Sequence, residues 1–206
     1  FTSDHGEELG EHGVVGWHSH TLFDELLRVP LIIRFPDLRH AGATVGVQVR
    51  LLDLAPTILA AVGATVPSDF EGVDLERVIS GLPTPLPAAS QLDLPDGDRV
   101  ISLRTSRWKL YPRKALASDP FATTQLPLTV RFVNLARRLR HPFVLYDLEV
   151  DPAETQDVVA DHEQVAGSLR GFLDGLLAAR STPRRVPTVT IDDATADALR
   201  ALGYLE

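Results

Sequence analysis

Residues 1–36, FTSDHGEELGEHGVVGWHSHTLFDELLRVPLIIRFP, hold four of the seven histidines and six of the 28 carboxylates of this chain. Such crowding of imidazoles and acids marks a metal or anion site. The pair Asp4-His5 stands behind the short apolar stub Phe1-Thr2, and Gly6, Gly10, Gly13 and Gly16 follow at short intervals. Glycine reaches positive φ without steric cost, so this spacing predicts a loop folded tightly around an ion. Asp4 offers a hard anionic oxygen and His5 a neutral imidazole, a mixture suited to a divalent cation of intermediate hardness. Two ligands do not hold such an ion alone, and an Asp-His dipeptide by itself is also ordinary turn chemistry.

Working outward from this stretch, Leu22–Arg28 reads as a short helix, and Pro30 opens the apolar run Leu31-Ile32-Ile33, a strand with proline at its permitted first position. Residues 37–43 are polar and contain Gly42, hence a loop, and residues 44–50 read as a short extended piece. Asp53 caps a helix from Leu54 to Val62 that ends at Gly63. Leu54, Ile58, Leu59 and Val62 make a stripe at helical spacing, which predicts core packing. A brief helical turn runs from Gly72 through Ile79, and the Pro-, Ser- and Asp-rich residues 82–98 read as a surface connection.

The character then changes. Arg99–Thr105, Arg107–Pro112 and Phe143–Leu148 are β-leaning runs. Asp161 starts a long amphipathic helix through Ala179, with Val165, Leu169, Phe172, Leu173, Leu176 and Leu177 on its apolar stripe. Asp192-Asp193 opens a final helix to Leu202. Between the strands, Arg131, Arg137, Arg138, Arg140 and His141 form a basic cluster. It reads as a solvated helix face, with the steering of anions as the sharper alternative.

The ordered string TSDHGEELGEHG followed by GWHSHTLFDELLRVPLIIRFP closely resembles the C-terminal metal-binding motif of the sulfatases, within the alkaline phosphatase-like superfamily. Residues 51–64, LLDLAPTILAAVGA, resemble the helix after that motif. RTSRWKLY and LYDLEVDPAET resemble the small antiparallel C-terminal subdomain, and ALRALGYLE resembles the tail of many bacterial members.

The resemblance implies an α/β fold: the second half of a doubly wound, mostly parallel sheet, followed by a small α+β subdomain with a four-stranded antiparallel sheet and a packing helix. The expected domains are residues 1–97 for the catalytic portion and 98–206 for the subdomain. Asp4 and His5 match the pair that completes the metal site at the carboxyl end of a strand, where ligands collect in such sheets. The metal expected is Ca2+, with Mg2+, Mn2+ and Zn2+ as alternatives, since members often carry Asn where His5 stands. His18 matches the Lys or His that contacts the sulfate oxygens and helps the leaving group depart, and His20 takes that role if the loop runs differently. Ester cleavage spreads negative charge over nonbridging and departing oxygens, which explains the demand for a cation, positive donors and a general acid. Glu7, Glu8 and Glu11 read mostly as solvated loop, and His12 as structural ahead of a catalytic alternative.

Sulfatases carry their nucleophile, a formylglycine made from Cys or Ser in a C/S-x-P-x-R motif, in the N-terminal half. This chain has no Cys, and Ser181-Thr182-Pro183-Arg184-Arg185 fits the short pattern in the wrong place, without the Thr-Gly that should follow. Phe1 is an unusual start and Met is absent, so the chain reads as the C-terminal half of a longer enzyme. The formylglycine and the first metal ligands are expected in the missing N-terminal half. The expected activity is hydrolysis of a sulfate ester on a small molecule or carbohydrate. The alternatives are a phosphodiesterase or phosphonate monoester hydrolase of the same superfamily, a phosphoethanolamine or glycerol-phosphate transferase, and a noncatalytic module retaining the fold.

The whole composition agrees. With 206 residues and 44% hydrophobic content the chain can bury a core. A net charge of −8 disfavours nucleic acid as a partner. No stretch approaches the roughly 20 apolar residues of a membrane span. Cysteine is absent, so disulfides do not report the compartment. A periplasmic or extracellular location is expected from the family alone.

Overall fold

The computed structural model describes residues 1–13, 15–16, 18, 21–81, 86–94, 97–117, 141–180, 192–194 and 196–197. Its centre is a four-stranded antiparallel sheet in the order β1 (Ala88–Asp93), β2 (Arg99–Arg104), β3 (Trp108–Pro112), β4 (Phe143–Asp147). Strand side chains alternate between faces, and here the alternation sorts two cores. Leu103, Leu110 and Leu145 point to one face and pack with Ala166 and Leu173 of the long helix α4 (Glu163–Arg180). Val100, Tyr111, Val144 and Tyr146 point to the other, against Leu22 and Phe23 from the amino-terminal segment.

The polar members of that second face fix the segment in place. Arg104 and Lys109 lie directly opposite each other across β2 and β3. Two facing cations repel, and Asp24 meets both: Lys109 Nζ stands 3.0 Å from Asp24 Oδ1, and the Arg104 guanidinium donates to both Asp24 oxygens at 2.8–3.1 Å. Lys109, fully buried, also pairs with Glu154 Oε1 at 2.6 Å, and Glu154 Oε2 accepts the Asp24 amide at 2.6 Å. Asp24 and Glu25 open the short helix α1 (Asp24–Leu27), where acids favour the positive end. Burial pushes the Asp24 carboxyl up, but Arg104 and Lys109 outweigh it and hold the group below its ordinary range. Burial raises Glu154, a rise that Lys109 only partly offsets.

Strands β2, β3 and β4 and helix α4 follow the sequence pattern, and α1 is shorter than expected. Strand β1 lies inside the stretch expected to be a connection. Its sequence AASQLD is poor in β-formers, and six register partners along β2 hold it. The Leu31–Ile33 run makes a single antiparallel bridge, Thr2 to Leu31. The expected stripe on helix α2 (Leu54–Ala61) is corrected: Ile58 and Val62 are exposed, while Pro56 and Thr57 are buried. Thr57 decides the face, because its hydroxyl donates to Asp53 O and accepts the Leu75 amide at the start of α3 (Leu75–Ile79). Asp53 forms no side-chain cap on α2. Its carboxylate takes the Arg50 guanidinium and the Val73 amide instead. On α4, Phe172 is exposed, whereas Val165, Leu169 and Leu173, spaced by four, face the sheet.

Packing divides the chain into two compact units, Phe1–Leu173 and Asp174–Glu206. The second contains the last turns of α4 and a helical turn in which the Ala196 amide donates to Asp192 O at 3.0 Å. The Arg131–Arg140 cluster, Ser181–Arg185 and most of the expected final helix lie outside the described residues. No helix among the described residues is long and apolar enough to cross a membrane.

Removing one partner from a buried ionic group leaves an uncompensated charge, so Lys109→Met is expected to lower stability by about 3–5 kcal/mol in urea unfolding at neutral pH. Asp24, depressed when folded, stabilises above its unfolded value of 3.8 and loses that contribution as pH falls through its folded pKa. Urea midpoints on the Asp24→Asn variant should therefore show a weaker acid limb than wild type. Phe1, Ile32, Ile58 and Val62 are each more than half exposed, and an apolar hollow of about 370 Å³ opens beside Leu31, Phe35, Val47 and Ile79. The 206-residue chain alone is expected to self-associate in sedimentation velocity, and a single monomeric species would contradict this.

Candidate functional site

The amino-terminal loop is fastened to the 21–26 segment at several points. The Gly6 amide donates to Leu26 O at 2.8 Å, and a Cβ at position 6 would collide with the Glu25 carbonyl, so only glycine fits there. His12 is half-buried, stacked on Phe23 with ring centroids 3.5 Å apart, and its Nδ1–H donates to Glu25 Oε1 at 2.6 Å. Thr21 Oγ1 donates to Glu8 Oε1 at 2.5 Å. Between these points the chain doubles back: Leu9 bridges Val15, and the Gly16 amide donates to Glu8 O at 2.8 Å.

Within this frame Asp4, His5 and His18 come together. Asp4 Oδ2 lies 3.9 Å from His5 Nε2, and the His5 and His18 rings stack with centroids 4.5 Å apart and planes 20° from parallel. His5 Nδ1 lies 2.7 Å from the Gly6 carbonyl, which only accepts. That nitrogen therefore carries the proton, and the Nε2 lone pair is left toward Asp4, the tautomer a metal-ligating histidine needs. The Asp4 carboxyl is held below its ordinary range by hydrogen bonds from its own amide and that of His5, so it stays anionic. A carboxylate and an oriented imidazole fit as two donors to a divalent cation. Among the described residues no group of three or more His, Cys, Asp or Glu able to hold an ion occurs, so those residues supply an incomplete set.

Glu7 remains exposed, as expected, and its Oε2 lies 3.5 Å from His18 Nδ1. Glu11 is also exposed and accepts the Leu9 amide at 2.8 Å, a turn contact. Glu8 corrects the expectation of a solvated loop: it is 1% exposed. Its pairing with Thr21 spans 13 residues, a separation that no helix or strand period would reveal. His12 occupies the structural place expected of it. His20 lies outside the described residues.

Residues 10–84 match a family model described as N-sulphoglucosamine sulphohydrolase, C-terminal. An N-acetylglucosamine-6-O-sulfatase of Bacteroides thetaiotaomicron is 42% identical over 79 residues, covering 38% of this chain and 14% of that protein. An ulvan-active sulfatase of Formosa agariphila is 34% identical over 80 residues, covering 38% of this chain and 16% of that one. A solved structure of a protein in complex with its substrate D-glucosamine-2-N,6-O-disulfate aligns with 90% of this chain and 35% of its own, at TM-score 0.64 and 25% identity. The chain thus spans about a third of that solved relative. The structural likeness places it in the expected α/β, alkaline phosphatase-like fold class, with the antiparallel sheet as its small subdomain.

The His12–Glu25 contact makes a pH-dependent prediction. Burial lowers the His12 pKa, but the Glu25 hydrogen bond and charge, joined by Glu154, outweigh it and leave the pKa above 6.5. Its stabilisation is fully present below pH 6.5 and is lost as pH rises through the raised value. Glu25→Gln should lower the His12 pKa in an NMR titration of the histidine ring protons. It should also cost about 2 kcal/mol at pH 6, and less at pH 9.

Proposed function

We propose that this chain, a relative of the sulfatases aligned with the C-terminal part of their sequence, works in metal-dependent hydrolysis of sulfate esters. It would contribute two metal ligands, Asp4 and His5, and a histidine donor, His18. The carrying observation is the convergence of those three side chains, with Asp4 Oδ2 3.9 Å from His5 Nε2 and His18 stacked on His5, on a chain that matches sulfatases. A divalent cation, Ca2+ first among the choices, would supply Lewis-acid stabilisation of the ester's nonbridging oxygens. The nucleophile, a formylglycine, and the remaining ligands would come from the preceding polypeptide of the same protein.

The residues on hand have separable tasks in this reading. Asp4 stays ionised and gives the cation a hard oxygen. His5 presents Nε2 because the Gly6 carbonyl holds Nδ1–H. His18, 52% exposed at its side chain, can reach a bound ester and give a proton to the departing oxygen. The relatives named above include a glucosamine sulfatase and a complex with a disulfated glucosamine, which points to a sulfated carbohydrate as the substrate class.

The test uses the polypeptide that carries this chain together with the preceding sulfatase sequence, assayed in parallel on a chromogenic aryl sulfate and a phosphate diester. Sulfate ester hydrolysis should dominate. Asp4→Ala and His5→Ala should each lower kcat/KM by at least about 100-fold and weaken divalent-ion binding in calorimetric titration. Unchanged ion binding and activity in both variants, or a diester preference of several orders of magnitude, would overturn the reading.

A further inference from the structure

Among the described residues of the loop, Glu8 is the buried one whose placement neither the proposed chemistry nor the sheet packing accounts for. It is 1% exposed, Oε1 accepts the hydroxyl of Thr21, itself 5% exposed, and Oε2 has no hydrogen-bond partner among the described residues. A carboxylate taken from water whose partners among the described residues are one neutral donor and no cation is a poor device for stability, and an apolar side chain of similar volume would serve the fold better. Its contacts lie at the ends of one excursion. The side chain holds Thr21, where the loop rejoins the segment leading into α1, and the main-chain carbonyl holds the Gly16 amide at 2.8 Å. His18 lies between those two fastened positions, stacked on His5.

We infer that Glu8 and Thr21 are positioning residues, a side-chain clamp that closes the His18 loop and sets the His18 ring against the Asp4-His5 pair; this rests on the sulfatase reading for its catalytic consequence. Neither side chain touches substrate. Their effect passes to His18 from the two fastened ends on either side of it, and a small displacement of a proton donor lowers the rate of the chemical step far more than it lowers binding. The cation pair, three or more residues before Glu8, keeps its own support from the Gly6 carbonyl and the Leu26 carbonyl.

Thr21→Val keeps the shape and removes the donor, and Thr21→Ser restores it. Both are made in the intact polypeptide and compared by hydrogen exchange, calorimetric titration with Ca2+, and steady-state kinetics on an aryl sulfate. Thr21→Val should abolish protection at the Gly16 amide and lower kcat by about 10- to 100-fold, with KM and the Ca2+ dissociation constant each within about threefold of wild type. Thr21→Ser should return protection and kcat to within about threefold. Glu8→Gln, whose amide oxygen still accepts the hydroxyl, should behave like wild type in the exchange measurement. Wild-type kcat in Thr21→Val overturns the inference, as does loss of Ca2+ affinity in step with kcat. If the unmutated polypeptide hydrolyses no sulfate ester, the catalytic reading fails separately. The exchange arm then still decides the clamp: undiminished Gly16 protection in Thr21→Val would refute it, and lost protection restored by Ser would uphold it.

Discussion

Two cations facing each other across β2 and β3 impose the constraint on which the described structure turns. Arg104 and Lys109 are register partners, and the strand period sends both to the face away from α4. Lys109 is wholly enclosed, so its charge needs acids within the protein. Asp24 and Glu154 supply them from two distant parts of the chain, 85 and 45 positions away in sequence. Such a network contributes little to net stability, because desolvation offsets most of the Coulomb gain. Its physical effect is specificity. Any shift of α1 relative to the sheet would strand a buried charge.

That fixed helix is the base from which the loop is hung. Glu25 follows Asp24 on the same turn and holds His12, and Leu26 offers its carbonyl to Gly6. Phe23 precedes it and takes the His12 ring on one side while stacking on Tyr111, with centroids 4.8 Å apart, on the other. The Tyr111 hydroxyl accepts the Leu22 amide at 3.0 Å. Contacts thus run without a break from the antiparallel sheet, through residues 21–26, to the loop that bears His5 and His18. The subdomain sheet and the candidate site are one packed arrangement, which gives the sheet a part in holding the site as well as in covering it.

Legibility in the sequence followed the range of the forces. Strands β2, β3 and β4 and the inward stripe of α4 could be read because burial of one face imprints a period of two or of about four. An ordered motif singled out Asp4, His5 and His18, which the fold brings together. What escaped were features set by partners far along the chain. Strand β1 is made by pairing with β2, since its own residues do not favour extension. The inner face of α2 is chosen by Thr57 hydrogen bonds to Asp53 and Leu75, which overrode the apolar stripe and left Ile58 and Val62 outside. Glu8 has the identity of a surface residue and the burial of a core one, and only Thr21 in space accounts for the difference.

The charge of the site carries the last step. Beside His5 and His18 stand Asp4 and Glu7, both exposed and both acidic, and the sequence has neither Lys nor Arg among residues 1–27. An anionic ester approaching such a surface meets repulsion, and salt at physiological strength screens it only beyond about 8 Å. One protonated imidazole does not reverse the sign. A divalent cation held by Asp4 and His5 would, because it neutralises the carboxylate and leaves a positive centre beside the His18 ring. The arrangement of acids that argues against anion binding by side chains alone is the same arrangement that suits a cation, and under the proposed function such a cation would make the loop a site for sulfate oxygens.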